Sequence, residues 1–261
     1  MPDEPQTWHY GLVARWWAEF NVAKPEELAY YRACIERYGQ PALDLGCGTG
    51  RILLPLLETG LDVDGCDVSP DMLAFCHARA TRDGLKVRLY AQASHELDLP
   101  RAYGTIYICD SFGIAGNAEA LRRCHRYLVP GGALVFNTSV PYKDAGNWRY
   151  WLPEERRKLP EAWPATGARR TASNGDEIEL RSRLVDFDPI AQRATTQMRA
   201  ILWRDGTVVA QEEYTLHQTI YFRKELLALL ARAGFEDVEV TGRFGEAVKS
   251  DDVDIAFVCR K

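Results

Sequence analysis

Between Asp44 and Gly50 the chain reads Asp-Leu-Gly-Cys-Gly-Thr-Gly, an acid followed by glycines at alternate positions. Glycine permits left-handed backbone and lets a ligand approach the main chain without meeting a Cβ. The pattern therefore predicts a tight loop built to lie against a bound molecule. A second acid, Asp67, closes the apolar run from Leu61 to Val68. A carboxylate at the end of a second strand can accept hydrogen bonds from both hydroxyls of a ribose. Two phosphate-binding patterns fail on residue identity. A Walker loop requires Gly-Lys-Ser/Thr, and Gly50 is followed by Arg51-Ile52; the pattern G-x-G-x-x-G, started at Gly46, meets Arg51 at its sixth position.

Two other places carry residues suited to chemistry. An extended segment is expected from Thr207 to Ile220, with Val209, Gln211, Glu213, Thr215, His217 and Thr219 on one face. Val208, Ala210, Tyr214, Leu216 and Ile220 make the other face more apolar. His217 and Glu213 form a candidate acid–base couple over a pocket, the carboxylate raising the basicity of the imidazole; a solvated face is the plain alternative. Asp110, in Cys109-Asp110-Ser111-Phe112-Gly113, either faces a ligand or caps the turn that follows.

The elements that must position these residues follow a βα rhythm. Leu28, Tyr31, Ile35 and Tyr38 recur at helical spacing in a helix from Pro25 to Tyr38 that stops at Gly39. Strands are expected at Ala42 to Leu45, Leu61 to Val68, Lys86 to Ala91, Thr105 to Cys109 and Gly132 to Asn137. Helices are expected at Arg51 to Glu58, at Pro70 to Arg82 behind a Ser69 cap, and at Ala118 to Leu128. Such alternation argues for a doubly wound α/β fold, Rossmann-like, with strand carboxyl ends on one edge. From Pro141 to Tyr221 the rhythm breaks. Extended segments at Glu177 to Phe187, Arg193 to Trp203 and Thr207 to Ile220, the last two joined through Asp205-Gly206, predict an inserted antiparallel sheet of three strands. A helix at Arg223 to Arg232, then strands near Val238 to Val240 and Asp254 to Cys259, resume the core. The expected organisation is a core of residues 1–140 and 222–261 with an inserted substrate cap at 141–221.

Composition fits one large globular unit. The 261 residues are 46% hydrophobic and 26% charged, with a formal net charge of −5, which lacks the basic field of a nucleic-acid binder. No apolar run is long enough to span a membrane, and the acidic start Met1-Pro2-Asp3-Glu4-Pro5 is unlike a signal peptide, so a cytoplasmic protein is expected. The seven cysteines show no C-x-x-C pair, and no metal site is expected.

From Ala42 to Leu73, with Cys66-Asp67 and Ser69-Pro70-Asp71-Met72-Leu73 after the glycine loop, the sequence resembles the class I S-adenosylmethionine-dependent methyltransferases. Tyr127-Leu128-Val129-Pro130-Gly131-Gly132 and Ala233-Gly234-Phe235 are similar to the family's turn into its fifth strand and the entry to its closing hairpin. The resemblance spans about residues 41–140 and 222–260 and implies a seven-stranded, mostly parallel sheet. It implies that Asp44, Gly46, Cys47, Gly48 and Gly50 lie at the methionine moiety of S-adenosylmethionine and that Asp67 holds the ribose, with Val68 and Met72 alongside. Relatives often place an acid at the adenine, where this chain has Ala93 between Gln92 and Ser94. Asp110 would face cofactor or substrate. In small-molecule relatives a segment like Trp8 to Trp17 folds over the cofactor as a lid, which makes Tyr10 a candidate catalytic residue. The Asn/Asp-Pro-Pro-aromatic run of enzymes that methylate nucleobase amines is absent after Cys109. The expected acceptor is a small molecule with an N or O nucleophile, the expected assembly a monomer or homodimer, with no nucleic-acid or membrane partner. A non-catalytic scaffold binding S-adenosylmethionine or S-adenosylhomocysteine, and a nicotinamide-dependent oxidoreductase disfavoured by Arg51, are the alternatives.

Overall fold

The computed structural model of the chain describes residues 7, 9–142 and 144–261; residues 1–6, 8 and 143, including the acidic start and the first tryptophan of the amino-terminal segment, lie outside the described residues. Strands β1 (Ala42–Leu45), β2 (Val63–Asp67), β3 (Arg88–Ala91), β4 (Tyr103–Ile108) and β5 (Leu128–Ser139) run parallel in the order β5-β4-β1-β2-β3. A hairpin of β10 (Asp237–Gly242) and β11 (Asp254–Arg260) completes seven strands, with β11 antiparallel to β5. The order reverses between β1 and β4, which is where an open α/β sheet presents a crevice at its carboxyl edge.

Alternating side chains explain why both faces are covered. Leu43, Leu45, Ile106, Ile108, Leu134 and Phe136 point to one face, packed with Leu121, Leu226 and Leu230 from helices α5 (Ala118–Tyr127) and α6 (Arg223–Ala233). Ala42, Tyr107, Ala133 and Val135 point to the other, under α2 (Pro25–Tyr38), α3 (Leu53–Glu58) and α4 (Pro70–Arg82). Ser69 caps α4 by accepting the Met72 N–H at 3.2 Å, as its sequence position predicts.

The inserted sheet has four antiparallel strands rather than three: β6 (Ala168–Thr171), β7 (Glu177–Asp188), β8 (Arg193–Arg204) and β9 (Thr207–Thr219). The extra edge strand, Ala-Arg-Arg-Thr, is exposed throughout and lacks the alternation by which strands are recognised. One face of this sheet, through Ile178, Leu180, Met198, Ala200 and Leu202, buries Leu12 and Val13 of α1 (Gly11–Phe20). None of the described helices is long and apolar enough to cross a membrane.

Candidate functional site

The carboxyl end of β1 turns back on itself through two bonds to one acceptor: the Gly46 and Cys47 N–H groups donate to the Cys66 carbonyl at 2.7 and 3.0 Å. The turn demands left-handed backbone at Gly46 (φ 81°), Gly48 (φ 54°) and Gly50 (φ 79°). Asp67, at the end of β2, joins the loop to α4: one carboxylate oxygen accepts the Gly48 N–H and the other the Ser69 N–H, both at 2.8 Å. Burial raises the Asp67 pKa, and these backbone N–H groups oppose the rise. An ionised carboxylate has about four lone-pair sites, so both oxygens keep capacity for further donors.

The loop borders a cavity of about 670 Å³. Of the residues singled out from sequence, Gly46, Cys47, Gly48, Asp67, Val68, Met72, Gln92, Ala93, Ser94, Asp110 and His217 line it. Asp44 and Gly50 are beneath it. Asp44 is buried in β1, and that burial pushes its pKa up to about 7. Gly50 packs on the layer below: a Cβ there would sit 2.6 Å from Cys76 Sγ and 2.8 Å from Leu54 Cγ. At the adenine side, the Gln92 amide is tied to the Asp98 backbone by two bonds, at 2.8 and 3.0 Å, and the Ser94 hydroxyl donates to the Ala115 carbonyl.

The amino-terminal wall is formed by Thr7, His9, Trp17, Asn21 and Val22. Two carboxylates clasp the first turn of α1, where N–H groups lack helical partners. Asp71 of α4 accepts from Gly11 at 2.8 Å, and Glu212 of the inserted sheet accepts from Leu12 at 2.7 Å. Ser69 Oγ donates to the His9 carbonyl at 2.5 Å, so the wall is fastened next to Asp67. Burial lowers the His9 pKa to about 4. Tyr10 is not among the cavity residues; its ring packs on Tyr214, with centroids 6.2 Å apart.

The acid–base couple expected of His217 and Glu213 is not formed. Four residues along a strand span about 13 Å, so sharing a face does not bring the two side chains together. Glu213 instead pairs with Arg199 at 2.8 Å, and the His217 ring meets Thr195 at 3.0 Å across the sheet. The face of β9 turned to the core is the other one: Ala210 and Tyr214 pack in the α1 cluster, and Leu216 is buried. Gln218 continues that face to the cavity and lies over Gly113.

Sequence reasoning missed a charged cluster on the β4 side. Asp110 is left-handed (φ 58°) and is held by Asn137, which accepts its N–H at 2.9 Å and donates to its carboxylate at 2.6 Å. Arg243, from the β10–β11 connection, donates to Asp110 at 2.7 Å, Asp254 at 2.8 Å and Glu27 at 3.2 Å. Arg51 donates to Glu27 at 2.6 Å and Asp110 at 3.1 Å. Burial alone would raise the Glu27 pKa, but the Lys24 N–H, Arg51 and Arg243 outweigh it and hold the carboxyl below its usual range. Glu27, Cys109 and Asp110 bring three donor atoms within 4.8 Å of one another, yet two guanidinium groups already occupy the carboxylates and would repel a cation. Asp110 is marked in the sequence by its place after β4 and Arg51 by adjoining the glycine motif, whereas Glu27, Asn137, Arg243 and Asp254 carry no such signal.

Residues 42–132 match the sequence profile of a methyltransferase domain family. A ubiquinone biosynthesis O-methyltransferase from Sodalis glossinidius is 29% identical over 140 residues, 49% of this chain and 55% of that protein. The chain thus spans little more than half the length of the curated relatives it matches. An S-adenosylmethionine-dependent methyltransferase from Clostridium acetobutylicum superposes with a TM-score of 0.69 at 16% identity, covering 92% of each chain. A sugar N-methyltransferase from Streptoalloteichus superposes with a TM-score of 0.64 at 22% identity, covering 91% of this chain and 88% of the other. Sheet order, the glycine turn and the matched segment agree: residues 42–132 resemble a methyltransferase domain, and the chain has the fold of the S-adenosylmethionine-dependent methyltransferases.

Proposed function

We propose that the protein transfers a methyl group from S-adenosylmethionine to an N or O nucleophile of a small molecule. The observation that carries the proposal is the Gly46–Gly48 turn locked to the Asp67 carboxylate at the mouth of a cavity of about 670 Å³. Ligand pockets of drug-sized molecules run about 300–1,000 Å³, so cofactor and the reacting part of an acceptor fit together. Two buried polar atoms on cavity residues, Ser111 Oγ and Trp17 Nε1, lack a hydrogen-bond partner among the described residues. Buried polar groups are normally satisfied, and a polar ligand would complete both. The site therefore fits the cofactor in donor set as well as in volume.

When bound, S-adenosylmethionine supplies an electrophilic methyl carbon on a sulfonium centre. Asp67 would hold the ribose hydroxyls with the acceptor capacity its two N–H bonds leave. The main chain around Ala93 would serve the adenine, because the Gln92 and Ser94 side chains are engaged elsewhere. Asp110 and Arg243 would orient the acceptor on the β4 side. Alignment of nucleophile and methyl carbon, with water excluded, does most of the work in such a displacement. A neutral amine then needs only to lose a proton to solvent or to a nearby carboxylate, and no dedicated base has to be built.

Calorimetric titration with S-adenosylhomocysteine tests the reading. Micromolar binding is expected for the wild type and a loss of at least about a hundredfold for Asp67→Ala, as for removing a charge-assisted pair of bonds. Equal affinity in the variant would sink the site assignment. No binding by a folded wild type would remove the enzymatic reading altogether.

A further inference from the structure

A second cavity, of about 210 Å³, meets the first at Gln218, which lines both. It lies between the carboxyl end of β5 and the inserted sheet, and its lining differs in kind. The first cavity carries Lys24, Glu27, Arg51, Asp67, Asp110 and Arg243. Among the described residues the second carries no acidic or basic side chain at all. Its walls combine the rings of Trp151, Phe187 and Tyr221 with the hydroxyls of Thr138, Thr196 and Thr219. The Trp151 ring is fixed by edge contacts with Phe187 and Phe222, at 5.1 and 5.3 Å between centroids.

Those features select a ligand. A charge entering a site without a counter-charge loses hydration that nothing returns, so the occupant is neutral. Aromatic walls favour the flat apolar face of a ring, and the threonine hydroxyls serve as donors or acceptors for hydroxyls at its rim. A cavity of about 150 Å³ accommodates benzene, so the larger volume here admits one substituted six-membered ring. We propose that this cavity is the subsite for a neutral, hydroxylated ring of the methyl acceptor, whose nucleophile-bearing part reaches the charged cavity past Gln218. The word acceptor rests on the methyltransferase reading; the affinity for a neutral ring does not.

Saturation-transfer NMR on the full chain separates the two. Methyl α-glucopyranoside and phenol serve as neutral probes, and glucose 6-phosphate and benzoate as their charged counterparts. Transfer is expected to a neutral probe and to be about tenfold weaker for its charged counterpart. Response to the glucoside alone identifies a saccharide ring, and response to phenol alone an aromatic one. Ala194→Phe, which fills the cavity, is expected to abolish transfer while leaving S-adenosylhomocysteine binding unchanged. Thr196→Val, almost isosteric, is expected to weaken binding of the responding probe by about threefold and keeps the test available if the larger substitution prevents folding. No transfer to any neutral probe, equal transfer to charged ones, or transfer indifferent to both substitutions overturns the proposal. Neutral-ring binding by a wild type that does not bind S-adenosylhomocysteine would leave the subsite standing and remove the methyltransferase reading instead.

Discussion

The two sides of the main cavity are built by opposite means. On the β1–β2 side, the ends of two adjacent strands shape the wall with bonds from main-chain N–H groups: Gly46 and Cys47 to Cys66, Gly48 and Ser69 to Asp67. On the β4 side, Glu27, Arg51, Asp110, Asn137, Arg243 and Asp254 come from six elements or connections and meet through their side chains. The first wall is set once β1 pairs with β2, whereas the second exists only when the whole sheet is assembled. Damage to the first should therefore appear as strain and loss of cofactor, and damage to the second as loss of charge balance.

The largest effect on stability is expected at the main-chain wall. Gly50→Ala places a Cβ 2.6 Å from Cys76 Sγ in a left-handed residue. Strain and overpacking together are expected to cost about 3 kcal/mol, or about 6–12 °C in Tm. A melting temperature within a degree of wild type would show that the loop has slack and weaken the contrast between the walls.

Arg243→Met tests the other wall. It leaves the buried Glu27 and the partly exposed Asp110 with Arg51 as their one remaining cation, a loss of about 2 kcal/mol given that Arg243 is itself 29% exposed and Asp110 37%. Its double-mutant cycle with Glu27→Gln should show coupling, because the two share a bond. Additive effects would mean that the cluster is held by packing instead.

pH separates the walls by sign. Asp44, raised to about 7, contributes stability that is full below pH about 4 and is lost as pH rises through 7. Asp44→Asn is expected to flatten the fall in Tm between pH 5 and 8. Glu27 is lowered, so its contribution is present above its unfolded value of 4.5 and is lost as pH falls through the folded one. Glu27→Gln should lower Tm at pH 7 and converge with wild type in acid. Parallel pH profiles for the two variants would contradict the opposite assignments.

The same contrast explains what the sequence made legible. The core strands, the Ser69 cap and the glycine turn were readable because each is marked by a pattern of residues a few positions apart, even where its bonds reach further, as from Gly48 to Asp67. The Arg243–Glu27 contact joins residues that only the β10–β11 hairpin and α2 bring together, and no local pattern marks either one. In the inserted sheet the periodicity separated the two faces of β9 from Ala210 onward, failing at Val208 where a bulge shifts the register, but period alone does not say which face meets the core. The more polar face, with His217, looked like the chemical one. The position of α1 decides only the packing, because burying Leu12 and Val13 requires the apolar face to turn inward, while His217 at the end of the polar face still borders the main cavity.

That inversion makes the smallest prediction the sharpest test of the sheet's orientation. Glu213 is 41% exposed and its partner Arg199 22% exposed, a setting in which an ion pair contributes at most about 0.5–1 kcal/mol. Glu213→Ala and His217→Ala are therefore expected to change methyl transfer less than about threefold, since neither is asked to move a proton in the transition state. Gln218→Ala, at the residue that lines both cavities, should raise KM for the acceptor while leaving S-adenosylhomocysteine affinity unchanged. A His217→Ala loss of about a hundredfold in kcat, the scale of general-base removal, would restore the polar face as the working one and turn the contrast of the two β9 faces around.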